Sequence, residues 1–262
     1  MSGSAAWRIA RREVRALFDA PGGFFIIGVF WLLAGMQLLI LLYLFRDQTL
    51  RVAQAGASGA ATQGVHVNDA VVQPLLTVFG LLVVFYVPLV TMRSFAEERR
   101  NGSLELLLSQ PLRGVDVVMG KALGAALSLG LCLSILVVHA LVLAWVSVPD
   151  WGAAATGLLG LVLLSGFLLS MGIFISVVSR SQVEAAVLSL GAMLALAIGP
   201  SALHPRGGAA ESLLAFVSVM TRFEAFTYGA LDLGHIVFFL GGSLLFLGLA
   251  LRSLDLVRWQ GA

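Results

Sequence analysis

WGAAATGLLGLVLLSGFLLSMGIFISVVS, residues 151–179, holds 29 consecutive residues without an Asp, Glu, Lys or Arg. About 20 helical residues cross a bilayer core of about 30 Å. Within lipid each backbone polar group must be satisfied by its own segment, which selects a helix. The two-residue alternation of a membrane barrel strand is absent. Outward from this stretch lie five more charge-free windows, 20–45, 70–92, 122–149, 185–205 and 233–251. The whole chain is 59% hydrophobic and 11% charged, where soluble domains carry about 25% charged residues. The expected fold is therefore an all-α integral membrane protein, a single domain over residues 1–262. Six transmembrane helices are expected at 22–45, 72–92, 119–147, 152–178, 183–201 and 233–252.

The N-terminus is not expected to be a cleaved signal peptide. Arg8, Arg11, Arg12 and Arg15 precede an apolar run of 26 residues, longer than an h-region of about 7–15. Basic residues set the expected orientation. With the N-terminus inside, 12 of the 16 fall on the cytoplasmic side. Both termini are then cytoplasmic, in keeping with an even number of crossings. Cys132 is the only cysteine; an intrachain disulfide is excluded, and the thiol reads as a small packing residue.

The connecting segments differ in character. Residues 5–20 form an amphipathic helix with Trp7, Ala10, Val14, Leu17 and Phe18 on one face and Arg8, Arg12 and Arg15 on another. Such a helix lies on the anionic inner leaflet, braces a cytoplasmic partner, or both. Residues 46–73, with AQAGASGAATQG, read as a mobile outer loop, and His66 beside it as a solvated histidine. Residues 211–228 are apolar but carry Glu211, Arg222 and Glu224; a short extracytoplasmic helix at the membrane interface is expected there.

The densest charge lies between the second and third windows, in RSFAEERRNGSLELLLSQPLRGVDVVMGK, residues 93–121. Ser94-x-x-Glu97 is a helix-start capping box, and Glu97, Glu98, Arg99 and Arg100 follow it. Asn101-Gly102 signals a turn. Ser103 then opens a second short helix with Leu104, Leu107 and Leu108 on one face, ended by Pro111. A leucine face beside paired acids and arginines suits a groove on another protein.

No catalytic constellation emerges. Gly114-x5-Gly120-Lys121-Ala122 has one residue too many for a phosphate loop and Ala where Ser or Thr is required. Neither H-E-x-x-H nor G-x-S-x-G occurs. His139 is the histidine inside a span; it reads as a packing or pore-lining residue, or as a proton relay. Gln37, Ser128, Ser134, Ser165 and Ser170 complete a sparse candidate pore face. The first five windows contain no acid, so a coupled-ion site is not evident and energy must come from elsewhere. Gly120-x3-Gly124, Gly172-x3-Ser176 and Gly191-x3-Ala195-x3-Gly199 mark close helix contacts.

Residues 92–112, MRSFAEERRNGSLELLLSQPL, with VMGK at 118–121, resemble the ABC-2 type permeases. TRFEAFTYGALDL at 221–233 and RSLDLVRW at 252–259 resemble the branch containing the gliding-motility and nitrous-oxide-reductase-maturation permeases; REVRALFDAP at 12–21 fits as well. The resemblance runs from end to end and implies a dimer in the bacterial inner membrane, driven by two separate ATPase subunits that bind ATP and Mg. It implies a coupling helix within Ser94–Ser109, with Glu97 and Glu98 as its acidic pair, so that 94–110 is the coupling region. It makes Asp19–Pro21 the end of a connecting helix and places Phe223 and Glu224 in the outer element. It assigns this chain no catalytic residue, cofactor or metal, and no nucleic acid. Two functions remain open: a permease subunit that exports a substrate, or a mechanotransmitting subunit that acts on an extracytoplasmic or membrane-anchored accessory protein without solute flux. A self-energised carrier using His139 is the weaker third.

Overall fold

A computed structural model describes residues 3–19, 21–57, 66–100, 102, 113–202 and 218–260. In chain order its helices are α1 (Gly3–Asp19), α2 (Pro21–Ala57), α3 (Gln73–Thr91, entered through a π-helical turn at Asn68–Val72), α4 (Ala96–Arg100), α5 (Gly114–Leu133) and α6 (Ile135–Val146). There follow α7 (Trp151–Val178), α8 (Gln182–Ala202), α9 (Val219–Thr227) and α10 (Leu233–Gln260).

Five helical stretches among the described residues are long and apolar enough to cross a bilayer: Gly23–Gly56, Asn68–Arg99, Gly114–Val146, Trp151–Val178 and Leu233–Leu256. The expectation of six crossings is corrected. The apolar part of α8, Gln182–Ile198, belongs to a shorter class; at 1.5 Å per residue it spans about 25 Å, under the bilayer core. The window 185–205 was free of charge, but it counts Pro200, His204 and Pro205 as readily as leucines, and absence of charge is not length of apolar helix. The expected orientation rested on the basic residues, and the even count that agreed with it no longer supports it.

α2 also differs from its expected bounds. Its helix continues past Phe45 through Arg46, Asp47 and Arg51 to Ala57, where a loop was expected. Arg51 Nε donates to Asp47 Oδ2 at 2.8 Å, one helical turn away. Residues 58–65 lie outside the described residues.

α7 is the centre of the bundle, packing on α10 most extensively and on α3 and α9. Its glycines explain the closeness. A Cβ on Gly160 would fall 2.5 Å from Phe226 Cβ, and one on Gly172 would fall 2.5 Å from Thr91 Oγ1. The main core joins Phe30, Phe79, Leu164, Phe167, Phe223 and Phe239 from five helices. A separate cluster, Ile9, Phe95, Val117, Val118, Ile173, Val177 and Leu254, closes the end where the charges gather.

α5 and α6 are one span interrupted at Ser134. Breaking a helix in an apolar setting frees carbonyls that need donors. Trp31 Nε1 supplies Leu131 O and Cys132 O at 3.3 and 3.2 Å, and Ser134 Oγ reaches Leu131 O at 2.6 Å.

α1 packs on the bundle through a strip that shares Ala10 and Val14 with the expected apolar face and leaves Trp7 outside it. Ala6, Ile9 and Ala10 are buried, Val14 is half-buried and Trp7 is exposed. The reason is α5, whose Gly120 and Gly124 offer a flat strip. A Cβ on Gly120 would meet Ile9 Cβ at 2.7 Å and Ala6 O at 2.9 Å. One of those atoms is backbone and cannot rotate away. Gly120→Val is therefore expected to push α1 off α5 at a cost of about 1–3 kcal/mol, read as a lower unfolding midpoint and faster proteolysis in α1. Gly130→Ala, where a Cβ meets nothing within 4 Å, should leave both unchanged.

Candidate functional site

The site is the charged end of the bundle, where the chain leaves α3. Regular helix stops at Thr91, and a tight turn at Met92–Ser94 redirects the backbone, with Ser94 N donating to Thr91 O at 3.0 Å. α4 begins two residues later. A capping box within this segment was expected. Instead Phe95 N and Ala96 N both donate to Ser176 Oγ of α7, at 3.1 and 3.3 Å. Arg99 Nη1 donates to the carbonyls of Val178 and Ser179, each at 3.4 Å. A cation there meets the negative end of the α7 dipole. Both ends of α4 thus rest on the C-terminal turn of α7.

Lys121, on α5, ties in the other side. It is 2% exposed. Its Nζ donates to Glu13 Oε1 of α1 at 2.9 Å, to Glu98 Oε1 of α4 at 2.9 Å and to the Ser94 carbonyl. Its three protons have three acceptors from three segments. The Phe95 ring lies 4.9 Å from Nζ, a favourable cation–π arrangement. Arg12 covers the cluster, with Nη2 3.2 Å from Glu98 Oε1 and 3.7 Å from Glu13 Oε1. Beside it lies a cavity of about 420 Å³ reaching Arg93, Glu97, Tyr86 and Ser128.

Charge balance and satisfied donors make this a structural joint between helices. Among the described residues no group of three or more His, Cys, Asp or Glu is placed to hold a metal ion.

The profile of the ABC-2 family transporter proteins matches residues 7–233. The chain belongs to the ABC-2 transporter family. No curated protein matches it closely enough to be counted a relative. ABC-2 membrane proteins are non-catalytic transport subunits that partner with a separate ATPase chain and bind no cofactor themselves.

In this ABC-2 subunit Ser94, Glu97, Glu98 and Arg99 gather at the joint, and Arg100 ends α4. Leu104, Leu107 and Leu108 lie outside the described residues. Arg8, Arg12 and Arg15 line the exposed side of α1, and Arg12 reaches the cluster through an ion pair with Glu98. Phe223 is fully buried, seated where Gly80 has no side chain, and Glu224 is half-buried on the same helix. α9, the described part of the segment expected at 211–228, is packed into the bundle by Phe223 and Phe226.

The candidate pore residues differ in exposure. Ser134 is exposed, Gln37 is half-buried, and His139 is buried edge-on to Phe79 at 5.6 Å. The hydroxyls of Ser128, Ser165 and Ser170 bond back to their own helices. Glu13 was missed. Its signal was available: Lys121 is the only lysine in the chain, and it sits within the Gly120–Gly124 strip that invites a second helix.

Removing one partner of a buried pair leaves the others uncompensated. Lys121→Met is expected to destabilise the protein by about 3 kcal/mol, seen as a lower thermal unfolding midpoint. Adding Glu13→Gln and Glu98→Gln to it should restore most of the loss. An unshifted midpoint in Lys121→Met would show that the cluster carries no strain-bearing role.

Proposed function

We propose that the chain is the membrane subunit of an exporter in the bacterial inner membrane, working as a homodimer with two ATPase subunits that bind ATP and Mg. The charged end of the bundle faces the cytoplasm, and the segment from Ser94 through the leucines at 104, 107 and 108 docks in the ATPase. The observation that supports this most is the Lys121 joint. A displacement of α4 reaches α5 and α1 through one ammonium, and α7 through Ser176 and Arg99. Glu98 belongs to this inner linkage. Arg100 and the leucines are the contact with the ATPase, while Glu97 lines the cavity beside the joint. The stretches at 221–233 and 252–259 favour the gliding-motility and nitrous-oxide-reductase-maturation branch.

A second reading has its own observation. α7 is a continuous helix of 28 residues, about 42 Å long. It carries α4 at one end and, through Gly157 and Gly160, α9 at the other. A rod of this kind suits a subunit that relays motion to an extracytoplasmic or membrane-anchored accessory protein with no solute crossing.

Arg100→Glu combined with Leu107→Glu should leave membrane insertion and the unfolding midpoint intact while weakening ATPase co-purification by at least about tenfold, the worth of one buried charged contact. Unchanged co-purification and hydrolysis would overturn the docking role. In vesicles holding the complete complex, ATP-dependent appearance of solute on the far side supports export. Spin labels on α9 that move with ATP, without flux, support the relay.

A further inference from the structure

The cavity beside the joint has two walls of opposite character. Toward the membrane interior it is lined by Ile26 of α2 and by Tyr86, Leu89 and Val90 of α3. Tyr86 lies about 10 Å deeper than Arg93 at helical rise. Leu89 is 42% exposed, so the apolar wall continues onto the lipid-facing side of the bundle. Toward the helix ends the lining is charged: Arg12, Arg93 and Lys121 against Glu13, Glu97 and Glu98. Three positive groups face three negative ones, so the wall has no net charge.

These six groups are not equally committed. Lys121, Glu13, Glu98 and Arg12 bind one another. Arg93 and Glu97 make no hydrogen bond or ion pair among the described residues, although both line the cavity. They are four residues apart across the turn at Met92–Phe95, and no ion pair joins them. One free guanidinium and one free carboxylate, above an apolar channel, present complementary charge to a zwitterion with a tail.

We propose that this cavity binds a phospholipid whose headgroup is a phosphate joined to a primary ammonium, as in phosphatidylethanolamine. Arg93 donates to the phosphate in the charge-assisted geometry that guanidinium favours. Glu97 accepts from the ammonium. The upper acyl chains lie on Ile26, Leu89 and Val90, and their remainder runs out past Leu89 into the bilayer. A choline head has no N–H for Glu97, and a glycerol head leaves Glu97 facing a net negative lipid. The expected order of affinity is ethanolamine, then choline, then glycerol. The bound head would bridge the turn after α3 to α4, beside Arg12 of α1. The lipid site is built from this chain alone, with no residue of an ATPase.

The test is native mass spectrometry of the purified, delipidated full chain in detergent, titrated separately with phosphatidylethanolamine, phosphatidylcholine and phosphatidylglycerol. One ethanolamine lipid per chain should be retained, at least about tenfold more tightly than the glycerol lipid. Arg93→Gln should weaken all three lipids. Glu97→Gln should abolish the preference for ethanolamine over choline while keeping choline binding. Leu89→Trp, which fills the apolar wall, should lower retention of every lipid without touching a charge. Equal retention of the three lipids by the native chain, or variants that leave the order unchanged, would overturn the proposal. Soluble phosphoethanolamine competing as well as the lipid would overturn the lipid assignment and point to a free phosphate-amine ligand.

Discussion

One ammonium group, on the single lysine of a membrane-spanning chain, is held away from water by two carboxylates and a carbonyl. Burying such a charge alone is prohibitive, and the acceptors must therefore be in place whenever the helices are packed. They come from α1, from the turn after α3 and from α4. The position of α5 is thereby coupled to α1, to the turn after α3 and to α4 through one side chain. The Gly120–Gly124 strip is the steric counterpart, since it lets α1 lie close enough for Glu13 to reach Nζ. Packing and charge are satisfied by the same placement of α1.

The rest of that end follows from the same need. α4 has only five residues, too few to be a stable helix in water. It persists because its first amides bond Ser176, Arg99 bonds the last carbonyls of α7, and Phe95 is buried beneath it. Far from this joint, α7 meets α9 across glycines. Both ends of α7 are therefore fixed by side chains entering gaps where it has none, or only a hydroxyl.

The apolar spans were legible because lipid imposes a length and a composition. The helix at Trp151–Val178 follows its charge-free window closely, while that at Gly114–Val146 begins before its window, across Asp116 and Lys121. α8 was not legible in the same way, because a window defined by missing charge admits prolines and a histidine. The extension of α2 to Ala57 was hidden by a glycine- and alanine-rich composition that reads as loop, though alanine is also the best helix former. The small-residue pairs at 120–124 and 172–176 pointed to close contacts, and both occur. What each would touch depended on the three-dimensional arrangement. Ser176 is an ordinary serine until Phe95 and Ala96 are brought beneath it. Glu13 is one of several charges on an amphipathic helix until Lys121 is opposite. The serines read as a pore face are bonded to their own helices, a local outcome that no spacing rule separates from a lining role.

α2 has a further mechanical meaning. It is an unbroken helix of 37 residues, about 55 Å long, and its base touches α1 where the rings of Phe18 and Phe24 lie 5.1 Å apart. Farther along, Trp31 and Phe30 give it a fulcrum on α5 and α3. A rod supported near one end magnifies angular change: a tilt of about 5° about that fulcrum sweeps its far tip through about 3 Å. Whatever small rearrangement the base undergoes is thus delivered, enlarged, to the polar tip beyond Phe45.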